Sequence, residues 1–147
     1  MEIAILGLGC FWGPEIKFSK LDGIIKTEVG YCGGHNARTN YKEVCTGTTN
    51  HAEVVKLHFD PDVISYDKIL EYFFEIHDPT TLNSQGPDFG TQYRSEIFYL
   101  NDLQKITAEK MIEKENVKLS GKVVTKTSLV KNYCPAEEYH QRYLEKR

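Results

Sequence analysis

The chain has no apolar run approaching the roughly eighteen residues that a membrane-spanning helix needs. It has no surplus of positive charge. The 18 Lys and Arg against 21 Asp and Glu leave a formal net charge of −3, which removes the electrostatic case for a nucleic-acid partner. It has no internal repeat, low-complexity tract or linker. The N-terminal stretch Met1 to Leu8 carries Glu2 and no basic region, so it is expected to be a strand and not a signal peptide. None of the four cysteines, Cys10, Cys32, Cys45 and Cys134, forms a Cys-x-x-Cys pair. A secreted disulfide framework is not expected, and the thiols point to a reducing, cytoplasmic compartment where any disulfide is transient and catalytic.

What is present fits one domain over 1–147, since a chain of 147 residues buries about 70% of its unfolded surface and needs no covalent staples. Residues 2–8 read as a strand ending in a glycine-flanked turn. Pro14 suits the first turn of a helix that runs to about Leu21, where Asp22-Gly23 stops it. Residues 24–31 alternate as a strand, and 32–50 form a long Gly-, Asn- and Thr-rich loop. Residues 51–59 alternate again. Ser65 caps a helix from Tyr66 to His77, a second long loop covers 78–94, and 95–100 form a strand. Asn101 caps a helix to about Asn116, 122–130 form a strand, and Pro135 opens a last helix. The first six elements match a split β-α-β, ferredoxin-like pattern. The expected fold is therefore α+β, with a mixed or mostly antiparallel sheet and long functional loops.

Gly9-Cys10-Phe11-Trp12-Gly13 joins a strand end to a helix start. Orphan N–H groups and the helix dipole favour negative charge there, so the Cys10 thiol is expected to ionise below its reference value of about 8.5. Phe11 and Trp12 offer an aromatic wall on which sulfur and methyl groups pack well. A structural cysteine would not explain two glycines, an indole and a phenyl ring at one turn. In the strand 51–59, Glu53 shares a period-two face with Val55, Leu57 and Phe59. Desolvation on such a face keeps a carboxyl protonated and makes it a proton donor. The alternatives are a half-solvated strand end, or an ion pair with Arg38 or Arg94.

The Cys10 block resembles the signature of the type A peptide methionine sulfoxide reductases. The resemblance continues through Gly30-Tyr31-Cys32-Gly33-Gly34, Asn40-Tyr41-Lys42-Glu43-Val44-Cys45, His51-Ala52-Glu53-Val54, Gln85-Gly86-Pro87-Asp88, Gly90-Thr91-Gln92-Tyr93-Arg94-Ser95 and Ala136-Glu137-Glu138-Tyr139-His140-Gln141. It implies thiol-dependent reduction of methionine S-sulfoxide, free or in proteins, to methionine, with no cofactor and with thioredoxin or another thiol as reductant. It implies Cys10 as nucleophile, Glu53 as acid, Tyr41 and Tyr93 as donors to the sulfoxide oxygen, Phe11 and Trp12 around the S-methyl group, and Asp88 on the substrate backbone through water. Many such proteins carry a resolving cysteine in a tail beyond the last block. The seven residues after His140 hold none, so Cys134 and then Cys32 are the candidates, with direct attack by the reductant as the remaining route. Cys45 reads as structural or incidental, and His51 and His140 as hydrogen-bonded structural residues. Cys32, His35, Cys45 and His51 do not have zinc-ligand spacing, and no metal is expected. The other readings are a thiol peroxidase, which needs no methyl-sized pocket, and a non-catalytic module that binds methionine-like side chains. A monomer is the default assembly.

Overall fold

The computed structural model describes residues 1–147. A six-stranded sheet has the order β7-β6-β1-β3-β2-β8. Its strands are β1 (Glu2–Leu8), β2 (Ile24–Cys32), β3 (Ala52–Phe59), β6 (Ser95–Tyr99), β7 (Lys126–Leu129) and β8 (Cys134–Pro135). The helices are α1 (Trp12–Ser19), α2 (Tyr41–Cys45), α3 (Tyr66–Glu75) and α4 (Asp102–Lys118). A small hairpin pairs β4 (Ser84–Gln85) with β5 (Asp88–Phe89). The four central strands pair antiparallel in the order β6-β1-β3-β2, which is the ferredoxin-like arrangement. β7 adds in parallel beside β6 after the α4 crossover, so the sheet is mixed. No helix is long and apolar enough to cross a membrane.

Strand alternation sorts the side chains onto two faces. Leu6, Val55 and Ile97 lie level on three neighbouring strands and join Leu8, Val29, Leu57 and Phe59 in the larger core. Helices cover this face with Phe18, Ile69, Leu70, Phe73, Ala108 and Met111. The opposite face carries a smaller cluster of Ile5, Cys32, Ala52, Val54 and Phe98. Ser65 and Asn101 cap α3 and α4 through their side chains, as their positions in the sequence imply.

Three local expectations are corrected. Residues 32–50 contain α2, capped by Asn40, whose side chain accepts from Glu43 N–H at 2.9 Å. β7 is confined to Lys126–Leu129, the middle and end of the expected 122–130 strand. Pro135 opens no helix. It lies in β8 on the edge of β2, followed by a 3-10 turn at Glu138–His140. The reason is tertiary: Ala136 N–H bonds Val29 O at 3.0 Å, and the Gln141 amide clasps both Val29 N–H and Val29 O at 2.9 Å. The start of the tail is drawn onto β2, and only short local turns follow it.

One buried ion pair ties the long loops to the sheet. Arg94 Nε donates to Glu96 Oε1 at 2.6 Å. Its Nη1 and Nη2 donate at 2.9 Å to Thr91 O and Asn50 O, one carbonyl from each loop. Ser128 Oγ donates to the other Glu96 oxygen. Arg94→Leu strands a buried carboxylate, and the expected loss is about 3–5 kcal/mol in urea unfolding. A loss below about 1 kcal/mol, the range of solvent-screened pairs, would show that water reaches Glu96.

Candidate active site

Cys10 sits one residue before Phe11, the N-cap of α1. The turn depends on Gly9, which has φ +96°, and where a Cβ would stand 2.8 Å from the Gln85 side chain of the small hairpin. The hairpin thus closes directly over the cysteine turn. β1 and β3 run side by side, with Leu6 opposite Val55, so Leu8 comes level with Glu53. Glu53 lies on the helix-covered face, 1% exposed. Its Oε1 accepts the Phe11 N–H at 3.2 Å, and its Oε2 is buried without a partner. Neither Arg38 nor Arg94 pairs with it: Arg94 is committed to Glu96.

The electrostatics follow from burial. Desolvation raises the Glu53 carboxyl to about 8, with the Phe11 N–H opposing and the Asp88 charge adding to the rise. Desolvation also pushes the Cys10 thiol up, to about 11, against the Trp12 N–H and with help from the charges of Glu53, Asp88 and Cys45. This corrects the expected low-pKa thiol. Cys10 stands outside a helix of only eight residues, and the N–H of the cap residue is spent on Glu53. Burial and two carboxylates outweigh what remains of the helix dipole.

Tyr93 ends a 3-10 turn, Thr91–Tyr93. Its hydroxyl is raised to about 12, first by burial and then by the charges of Glu53, Cys45, Asp88 and Cys10, so all five groups converge on one region. Tyr41 opens α2. Its N–H donates to Glu137 Oε2 at 2.9 Å, and the other Glu137 oxygen accepts from Tyr31 Oη at 2.8 Å. Its own hydroxyl meets the Cys45 thiol one turn on, which pushes that hydroxyl up. Phe11 is fully buried, its ring centroid 5.8 Å from Tyr31 and 5.3 Å from His140. Trp12 is half-buried, so it and not Phe11 presents a partly open aromatic face. Asp88 is half-buried in β5, facing the same region.

The candidate resolving cysteines fall elsewhere. Cys32 is level with Ala52, on the sheet face opposite Glu53, fully buried, and its thiol donates to Lys131 O at 3.4 Å. Cys134 pairs with Tyr31 in β8, so three strand spacings, roughly 14 Å, separate it from the end of β1. A disulfide spans Cα atoms only about 4.4–6.8 Å apart. Neither thiol reaches Cys10 in this arrangement. Cys45, read from sequence as incidental, is exposed, and its charge acts on Cys10. Glu137, His140 and Tyr143 also border the site, although sequence reasoning gave them no role there. The one signal for Glu137 and His140 is the block Ala136 to Gln141, which is short and polar and carries no pattern of its own, and Tyr143 lies beyond it. His51, by contrast, is bonded at both ring nitrogens, to Gly34 N at 3.1 Å and Asn36 O at 2.8 Å.

Comparison with known proteins identifies the family and the fold. The family described as "Peptide methionine sulfoxide reductase" matches residues 2–147. A "Peptide methionine sulfoxide reductase MsrA" from Pelagibacter ubique (strain HTCC1062) is 80% identical over 147 residues, covering 100% of both chains. Among solved structures, Mxr1 from Saccharomyces cerevisiae in reduced form superposes with a TM-score of 0.95 at 42% identity, covering 99% of this chain and 85% of that one. The same yeast protein in complex with Trx2 superposes with a TM-score of 0.70 at 28% identity, covering 97% of this chain and 84% of that one. The chain, an oxidoreductase that reduces methionine sulfoxide with thiols, belongs to the peptide methionine sulfoxide reductase family.

Proposed function

We propose that Cys10 attacks the sulfur of methionine S-sulfoxide while Glu53 protonates the departing oxygen. Tyr41 and Tyr93 donate hydrogen bonds to that oxygen, Trp12 backed by Phe11 faces the S-methyl group, and Asp88 binds the substrate backbone through water. The observation that carries this reading is Glu53, a buried carboxyl held by one backbone N–H with its second oxygen free and its proton kept to about pH 8. A sulfoxide oxygen is a poor leaving group until protonated, so a neutral acid beside the nucleophile is what the reaction demands. The substrate sulfur gains two electrons and leaves as methionine, and Cys10 is oxidised to a sulfenic acid. A thiol of a dithiol reductant then condenses with it to a mixed disulfide, releasing water, and the reductant's second thiol displaces Cys10 as the free thiol.

A thioredoxin-like reductant is supported by the yeast relative solved with Trx2. The substrate is methionine sulfoxide free or within oxidised proteins. The chain acts as one domain and as a monomer in the cytoplasm, without nucleic acid or membrane, in keeping with its charge of −3. A peroxidase would leave Trp12 without a task, and a binding module would leave the Glu53 proton without one.

Three outcomes test this. With dithiothreitol, the protein converts the S epimer of a methionine sulfoxide peptide to methionine and leaves the R epimer. Cys10→Ser converts neither. Conversion of both epimers alike would remove the methyl-facing wall from the reading.

The second test is the pH profile. Glu53 and Cys10 titrate as a pair near 8 and 11. The reactive state holds one proton, on Glu53 and off Cys10. The single-turnover rate should rise to a plateau above about 8 and fall only beyond about 11. Glu53→Gln should lose about 10²–10⁴-fold in rate and lose the inflection near 8. An unchanged rate and profile would exclude Glu53 as the acid.

The third concerns recycling. Cys32→Ser and Cys134→Ser should keep thioredoxin-driven turnover within about two-fold, since neither sulfur reaches Cys10 within the disulfide range. A large loss with Cys134→Ser, confined to thioredoxin and absent with dithiothreitol, would mean that β8 leaves the sheet edge during the cycle.

A further inference from the structure

The chain as a whole carries a net charge of −3, yet one part of its surface has the opposite sign. On the sheet face opposite Glu53, a cavity of about 340 Å³ opens between β6, β7 and the two long loops. Its floor follows from strand register. Glu96 lies level with Lys126 and Phe98 with Ser128, and alternation turns all four to one face. Arg94, two residues before Glu96, joins them there. The walls are Asn50 from one loop, Asn83 and Thr91 from the other, and Lys131 just beyond β7.

Three cations and one carboxylate line this cavity, so its net charge is +2. The carboxylate is already answered: both Glu96 oxygens are bonded, one to Arg94 Nε and one to Ser128 Oγ. The guanidinium has five N–H donors, and the protein uses three of them, on Glu96, Thr91 O and Asn50 O. One N–H on each terminal nitrogen stays uncommitted, on a side chain only 10% exposed. Neither Lys126 nor Lys131 belongs to any of the three ion pairs of the chain. Gly33 leaves the guanidinium uncrowded, since a Cβ there would stand 3.2 Å from Arg94 Nη2.

We propose that this cavity binds a phosphoryl dianion, either inorganic phosphate or the head of a small organic phosphate. Two net positive charges match a dianion in sign and size. The donors come from both loops, β6 and β7, and so from several directions. That suits the three oxygens of a tetrahedral phosphoryl group better than the single plane of a carboxylate. The volume lies at the low end of the range for small-molecule pockets, about 300–1,000 Å³, which favours a small ligand. The bound group is shared by both loops, through Asn50 on one side and Asn83 and Thr91 on the other. It sits on the far face of the sheet from Glu53, so it is a ligand in addition to the sulfoxide and not a part of it.

The test uses the full chain and needs no turnover, so it stands apart from the catalytic reading above. Calorimetric titration in a low-salt buffer at about pH 8, where phosphate is mostly the dianion, should show one site with a Kd of about 1 mM or tighter. Glycerol phosphate is titrated in parallel. The tighter of the two binders tells whether the occupant is the free ion or an organic phosphate. Succinate, a dianion with planar ends, should bind at least about ten-fold more weakly than phosphate. Lys126 and Lys131 are exposed, so changing them does not threaten the core. Lys126→Gln with Lys131→Gln should weaken phosphate binding at least about ten-fold, with the phosphate-free melting temperature unchanged. Lys110→Gln with Lys114→Gln removes the same charge from exposed positions on α4 and should bind phosphate as the wild type does. Amide exchange should slow around Asn50, Thr91 and Ser128 when phosphate is added. Three results would each overturn the proposal: no binding at about 10 mM phosphate, equal affinity for succinate, or equal weakening in the two lysine pairs.

Discussion

The N–H of Phe11 is the donor on which the site's chemistry turns. By bonding Glu53 Oε1 at 3.2 Å it joins the cysteine turn at the end of β1 to a carboxyl on β3, two strands that the sheet already holds side by side. It satisfies one carboxyl oxygen and no more, in a place where burial would otherwise have to be answered by a full ion pair. The result is a carboxyl neither stabilised as an anion nor left wholly unbonded, which keeps its proton near neutrality. The same bond spends the N–H of the cap residue on Glu53, and the Trp12 N–H is the donor that favours the Cys10 thiolate. Burial outweighs both donors: it holds the proton on Glu53 against the Phe11 N–H and the proton on Cys10 against the Trp12 N–H.

Much of the scaffold was legible because it rests on local rules. Alternation placed Glu53 with Val55 and Leu57 on the helix-covered face, and Ser65 and Asn101 marked helix starts by the chemistry of their side chains. The split β-α-β order emerges as the observed strand arrangement because each crossover and hairpin has few alternatives once the strands are known. The expectations that missed are those decided at long range. Pro135 and the residues after it look like a helix start, yet their hydrogen bonds are supplied by Val29, more than a hundred residues away. The short helix over Tyr41–Cys45 is hidden in a polar, glycine-rich stretch and shows itself only through Asn40 and Glu43.

The site divides along the same line. Cys10 and Trp12 are neighbours in sequence, and their proximity required no fold. The partners of Trp12 lie 128 and 131 residues further on, and no periodicity connects them. The acidity of Cys10 was misjudged for a related reason: a helix start is visible in the sequence, but whether its donors are free is a question about Glu53. Cys32 and Cys134 show the same limit, since the sheet face of one and the strand distance of the other exist only once β2, β3 and β8 are paired.

The Arg94 guanidinium has a consequence for entry to the site. Its two terminal nitrogens hold Asn50 O and Thr91 O, so the loop that carries Tyr41 and the loop that carries Tyr93 share one anchor, itself locked to Glu96 inside the sheet. Parting one loop from the other would break a bond to that buried cation.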